Sequence, residues 1–164
     1  MDYLGIKAYF VEKQGEHKSV DKHEPKFKVG DWCIDNEDAT IFQIVKVLDN
    51  TYTYKTNEGS VYSCTYYSLE NDARLWTIED AKDGDVLAFD NDTIAIFKDL
   101  YNATSFHSYC CYVEDGVFNI SRDDMPEWWV AKGFHPATKE QRDVFFSKMK
   151  EEGYEWDADE KEIN

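Results

Sequence analysis

Cys110 and Cys111 stand side by side, with His107 just upstream, and these are the side-chain types best suited to chemistry. Thiols and an imidazole offer two kinds of site. The first is a metal site. Structural zinc uses Cys-x-x-Cys or a similar spacing, whereas neighbouring residues of a strand face opposite ways. The two cysteines are therefore read as small apolar side chains, and no metal is expected. The second is a thiolate activated by a base. In strict strand alternation His107 and Cys111 share a face but lie ~13 Å apart, beyond hydrogen-bond reach. No catalytic residue is assigned. Cys33 and Cys64 have no patterned partner, and all four thiols are expected to be reduced.

Carboxylates come next. Pairs such as Asp90/Asp92, Asp123/Asp124 and Glu151/Glu152 recur along the chain, but among 34 acidic residues accidental pairs are common. Glycosidase chemistry needs two of them at a set separation in a cleft. A calcium loop needs a glycine at its sixth position, and Asp90-Asn91-Asp92 has none. Neither a glycine-rich phosphate loop nor a nucleophile elbow is present. No cofactor is expected. His17 and His23 fall in a polar stretch and are expected in solvent. His135, before Pro136, is expected to set the entry to a helix.

Charge narrows the partners. With 18 basic residues against 34 acidic ones, the formal net charge is −16. Such a field repels phosphate backbones and anionic membrane surfaces, so direct nucleic-acid or membrane binding is disfavoured. It favours a protein partner with a basic surface. No run of apolar residues is long enough to span a bilayer. The first residues lack a basic leader, and a cytoplasmic location is the expectation.

Aromatic side chains are then the main candidates for binding. The chain has 5 Trp, 11 Tyr and 10 Phe. Tyr52 and Tyr54 share a strand face. Trp128 and Trp129 follow the acidic run Asp123-Asp124, and these six residues form the candidate binding set. Adjacent tryptophans in a strand point oppositely, so one ring can serve the core and the other a partner.

The elements that would position them are mostly strands. Gly30-Asp31 and Gly84-Asp85 each open an apolar run 54 residues apart, and Gly59 and Gly116 mark hairpin turns 57 apart. That spacing predicts a duplicated β-module. Residues 1–26 read as a short helix over 3–12 and a linker. Residues 27–74 read as the first module and 75–134 as the second, each a small SH3-like barrel. Thr77 and Asp80 form a capping pair at the joint, leaving Trp76 to pack back on the first module. Val61 to Tyr67 reads as one strand. Residues 135–164 read as a helix capped by Thr138 and Gln141 and ended by Gly153, then a hairpin.

Three blocks carry a resemblance. They are Val11 to Lys18 running on through Pro25 to Trp32, then Leu75 to Ala88, and then His135 to Asp143 running on through Met149 to Ala158. They resemble an uncharacterised family encoded by gut anaerobes, their phages and mobile elements. The resemblance implies membership of that family and no particular activity. Residues 99–134 fall where the family varies, and variable loops on a fixed scaffold suit binding. The reading is a non-catalytic acidic binding or adaptor protein of phage or mobile-element type. A DNA-mimic inhibitor would differ by a row of carboxylates at phosphate-like spacing, and a small hydrolase by one deep cleft with a perturbed acid or thiol.

Overall fold

A computed structural model describes residues 22–90, 93–113, 116–122 and 127–164. The helix expected over 3–12, His17, and the acidic pair Asp123 and Asp124 lie outside the described residues.

The first Gly-Asp turn sets the pattern. Gly30 sits at φ +96°, a left-handed conformation that glycine adopts without strain. The Asp31 carboxylate accepts the Lys28 N–H at 2.8 Å. Gly30 N–H donates to the Ile44 carbonyl (2.8 Å), and Ile44 N–H donates to that of Asp31 (2.9 Å). The second turn repeats these bonds. Gly84 sits at φ +90°, and Asp85 accepts the Lys82 N–H at 2.8 Å. Gly84 donates to Phe97 (2.9 Å) and Phe97 to Asp85 (2.8 Å).

Each turn leads into an antiparallel meander. The first comprises β1 (Trp32–Asp35), β2 (Ile41–Leu48), β3 (Thr51–Thr56), β4 (Val61–Thr65), a short helix α1 (Tyr66–Asp72) and β5 (Ala73–Leu75). Its sheet order is β4-β3-β2-β1-β5. The second comprises β6 (Val86–Phe89), β7 (Thr93–Asn102), β8 (Ser105–Val113), β9 (Val117–Ile120), β10 (Glu127–Val130) and β11 (Phe134–Pro136). Its order is β10-β8-β7-β6-β11, with β9 on the far half of β8. The fold is therefore mainly β with a C-terminal helix. Among the described residues neither sheet closes on itself: β4 and β5 end one, β10 and β11 the other.

Gly59 lies in the β3–β4 turn and Gly116 in the β8–β9 turn, both at positive φ. Both return strands lie against the first strand of their sheet. Trp76 N–H reaches the Trp32 carbonyl and Ala137 N–H that of Val86, each at 2.9 Å. A capping box follows in both places, Thr77 with Asp80 and Thr138 with Gln141. The first starts only a 3-10 turn, Ile78–Asp80, because the next Gly-Asp turn begins at once. The second starts α2, Lys139–Glu151. α2 ends as expected: Gly153 takes φ +85°, and Tyr154 N–H bonds back to the Met149 carbonyl at 3.0 Å. That bond satisfies a carbonyl that a helix end leaves open. The closing hairpin pairs β12 (Trp156–Asp157) with β13 (Glu162–Ile163).

The two sheets differ in which strand carries the large buried side chain. Cys33 opposes Phe42 in the first sheet and Leu87 opposes Ala95 in the second, all four buried. Each pair puts one large and one small side chain at the same place, which conserves volume. Phe27, Phe42, Ile44, Tyr52, Tyr66 and Leu69 centre the first core. The second sheet is covered on both faces. Phe97, Phe106 and Phe134 lie on one, with Trp76 and Trp129 packed against them. Ile94 and Ile96 lie on the other, covered by Phe145 and Met149 of α2.

Three expectations are corrected. Tyr66 leaves the expected strand and starts α1, because Thr65 caps the turn by accepting the Ser68 N–H (3.3 Å), and Tyr66 and Leu69, one turn apart, both bury. Trp76 packs forward into the second core rather than back on the first, with its indole N–H buried and unbonded among the described residues. In β8, the strict alternation that put His107 on the Cys111 face fails: Phe106 joins Cys111 in one cluster and Cys110 lies in the other, because a bulge shifts the register where Ile96 pairs Cys110 and Phe97 pairs Ser108. An extra residue reverses the alternation beyond it.

The second turn yields a pH-dependent prediction. Burial pushes the Asp85 carboxyl above its ordinary 3.8, more than the Lys82 amide and nearby Lys82, Lys161 and Arg142 pull it down. The folded state then holds that proton to a higher pH than the unfolded chain. The stability linked to this group falls as pH rises through the raised value. Asp85→Asn keeps an oxygen for the Lys82 N–H and removes the partly buried charge. It is expected to be neutral or stabilising near neutrality, while Asp85→Ala loses about 1 kcal/mol. Urea denaturation checks both; a loss above about 1 kcal/mol in the Asn variant would show that the charge itself holds the turn.

Candidate functional site

β10 carries the two tryptophans, and they point as a strand requires. Trp128 is 59% exposed and Val130 56%. Trp129 points inward. Its ring lies 6.0 Å from that of Phe134, and its indole N–H donates to the Ser108 hydroxyl at 3.2 Å. β10 pairs with β8, placing Trp128 opposite His107. Its other edge has no strand against it among the described residues. An exposed indole, an exposed valine and an unpaired strand edge thus occur together.

The two tyrosines part company as well. Tyr52 is fully buried and leaves the binding set. Its hydroxyl donates to the Glu70 carboxylate at 2.6 Å and accepts the Phe27 N–H at 3.1 Å. Burial first, then the Glu70 bond, push that hydroxyl up to about 12. Glu70 also accepts the Lys26 N–H (2.9 Å) and faces His23 Nε2 (2.6 Å). His23 is thus tied to α1 rather than merely solvated. Tyr54 is partly buried, its ring 4.6 Å from Phe42 and 5.7 Å from Tyr62.

Burial raises the thiols of Cys33 (to about 12), Cys110 and Cys111 (to about 11), so none is a ready thiolate. Cys110 and Cys111 lie in clusters on opposite faces of the second sheet. The bulge also takes His107 off the Cys111 face that simple alternation assigned to it. His107 Nδ1 meets Asp99 Oδ1 at 2.6 Å, and Ser121 lines the same polar cleft. That trio has the residue types of a hydrolase. The Ser121 hydroxyl, however, donates to the Ser108 carbonyl and accepts the Glu127 N–H. It is committed to holding the start of β10 and makes no hydrogen bond to His107. His135 stacks on Trp32 across the two meanders, with centroids 5.2 Å apart and planes 10° apart. No group of His, Cys, Asp or Glu among the described residues is arranged to hold a metal ion.

Comparison with family models, curated proteins and solved structures finds no match.

Asp99 and Glu70 were not separable from other acids in the sequence. Their roles depend on partners 8 and 47 residues away, and no short-range pattern marks such pairs. No helix among the described residues is long and apolar enough to cross a membrane.

Proposed function

We propose that this chain is a non-catalytic binding or adaptor protein of phage or mobile-element type, whose partner is a protein with a basic surface. The observation that carries the reading is Trp128, a large ring left 59% exposed on a strand edge that no described strand pairs. Burying such a surface on a partner is a strong source of binding energy. The open edge adds backbone donors and acceptors that an extended partner segment can pair with. The net charge of −16 steers basic partners toward the chain. We read the two Gly-Asp meanders as copies of one ancestral module, each an opened relative of a small SH3-like barrel. Their matching turn bonds and capping boxes support that reading.

The test begins with recovery of the partner from the native host, followed by titration of the purified pair. Trp128→Ala is expected to weaken binding by about 2 kcal/mol or more, with stability changed by less than about 0.5 kcal/mol. Added salt should weaken binding mainly by slowing association. Affinity that ignores both the substitution and the salt would exclude this surface.

A further inference from the structure

Beside the β1–β2 turn lies a cavity of about 260 Å³, remote in sequence from β10. Phe42 and Leu69, both buried, line it with the rings of Tyr54 and Tyr62 and the carboxylates of Asp35 and Asp38. The aromatic surface is continuous, since Tyr54 touches Phe42 on one side and Tyr62 on the other. Tyr62 is 54% exposed, so the wall is open to a ligand.

The charge of this cavity is one-sided. Among the described residues, no lysine or arginine lines it. None of the ion pairs among the described residues involves Asp35 or Asp38. Their hydrogen bonds fix them in place without neutralising them: Asp35 accepts the Glu37 and Asp38 amides (2.8 and 3.1 Å), and Asp38 accepts the Thr40 amide (2.8 Å). The bonds from Thr40 hold the Asp38 carboxyl below its ordinary range, so it is ionised at neutrality. Burial, then Cys64, Tyr62 and the two aspartates, push the Tyr54 hydroxyl up.

We propose that this cavity receives the cationic head of a lysine or arginine side chain presented by a basic protein segment. The negative faces of two tyrosine rings attract a cation within ~6 Å. Two carboxylates supply the counter-charge. Phe42 and Leu69 offer apolar surface to the aliphatic stem, which such side chains bury while the head stays polar. An anion would meet no cation here, and a purely apolar group would strand the carboxylates. The proposal rests on the reading that the partner is basic, but it needs neither Trp128 nor β10.

The experiment is an NMR titration of the whole chain with tri-arginine, using tri-citrulline as the uncharged counterpart. Saturable shifts are expected at Asp35, Asp38, Tyr54 and Tyr62 with tri-arginine and not with tri-citrulline. Tyr62→Leu, which keeps bulk on the edge strand but removes the ring, should weaken binding about three- to fivefold. Asp35→Asn with Asp38→Asn keeps the oxygens that accept the turn amides and should weaken it by at least about threefold. Trp128→Ala should leave this binding unchanged, so failure of the β10 surface and failure of this cavity give different results. Equal binding of tri-citrulline, unsaturated shifts spread over the acidic surface, or unchanged affinity in the two variants would each overturn the proposal.

Discussion

Phe145→Ala is expected to lower stability by about 3–5 kcal/mol. Phe145 is fully buried and is the central knob of α2 on the second sheet. Its ring stacks on Phe118 of β9 at 5.3 Å and meets Phe146 edge-on at 5.3 Å. It belongs to the cluster of Ile94, Ile96, Ala137 and Met149. Truncation removes the ring from all of them at once and leaves a hole that the paired strands are poorly able to fill, since their backbones are held by the ladder. A domain of this size has only about 5–15 kcal/mol in total, so the loss is a large share of the whole. Phe145→Leu refills part of the space and should lose much less. Equilibrium urea unfolding of the two variants checks this. A loss under about 1 kcal/mol for the alanine variant would mean that α2 is not what closes that face.

Glu70→Ala should have the second-largest effect, about 2–3 kcal/mol. Glu70 gathers the segment before β1 onto α1. It accepts the Lys26 amide and the Tyr52 hydroxyl and contacts His23. Without it the fully buried Tyr52 hydroxyl keeps only the Phe27 N–H, and an unmet donor in a core is unfavourable. Burial pushes the Glu70 carboxyl up, but the bonds from Lys26, Tyr52 and His23 together hold it below its ordinary 4.5. A depressed folded value means that the unfolded chain binds the proton first. The stabilisation is complete above the unfolded value and is lost as pH falls through the folded one. The gap between the parent chain and Glu70→Ala should therefore be wide near neutrality and narrow in acid. Denaturation at about pH 7 and about pH 3 measures it. A gap that stays constant would assign Glu70 a packing role with no part for its charge.

Asp80 is placed to respond in the same sense. Its bidentate contact with Arg74, against the opposing effect of burial, lowers its carboxyl, and it accepts the Thr77 N–H as well. Asp85 responds oppositely because burial outweighs its partners. Acid titration of the whole protein thus sums contributions of both signs.

Short-range chemistry determined the parts of this fold that the sequence shows by itself. Gly30 and Gly84 are legible because a left-handed turn followed by Asp needs only four residues. The same holds for Thr77 with Asp80, for Thr138 with Gln141, and for Gly153 at the end of α2, since a cap acts within one helical turn. The opposed directions of Trp128 and Trp129 follow from strand alternation, which is also local. Only the tertiary structure decided which of the two rings is exposed, because that depends on Phe134 and Ser108 lying beneath β10. It alone placed Trp76 in the second core, since an indole at a joint can pack either way and neighbouring sequence does not choose. It introduced the bulge in β8, where one extra residue separates His107 from Cys111, which strict alternation had placed on the same face. It also made α1 from tyrosines that favour strands, because the buried faces of Tyr66 and Leu69 outweigh intrinsic preference. And it brought Asp35, Asp38, Tyr54 and Tyr62 around one cavity from three strands and a turn, an arrangement set by the register of the sheet and by no spacing along the chain.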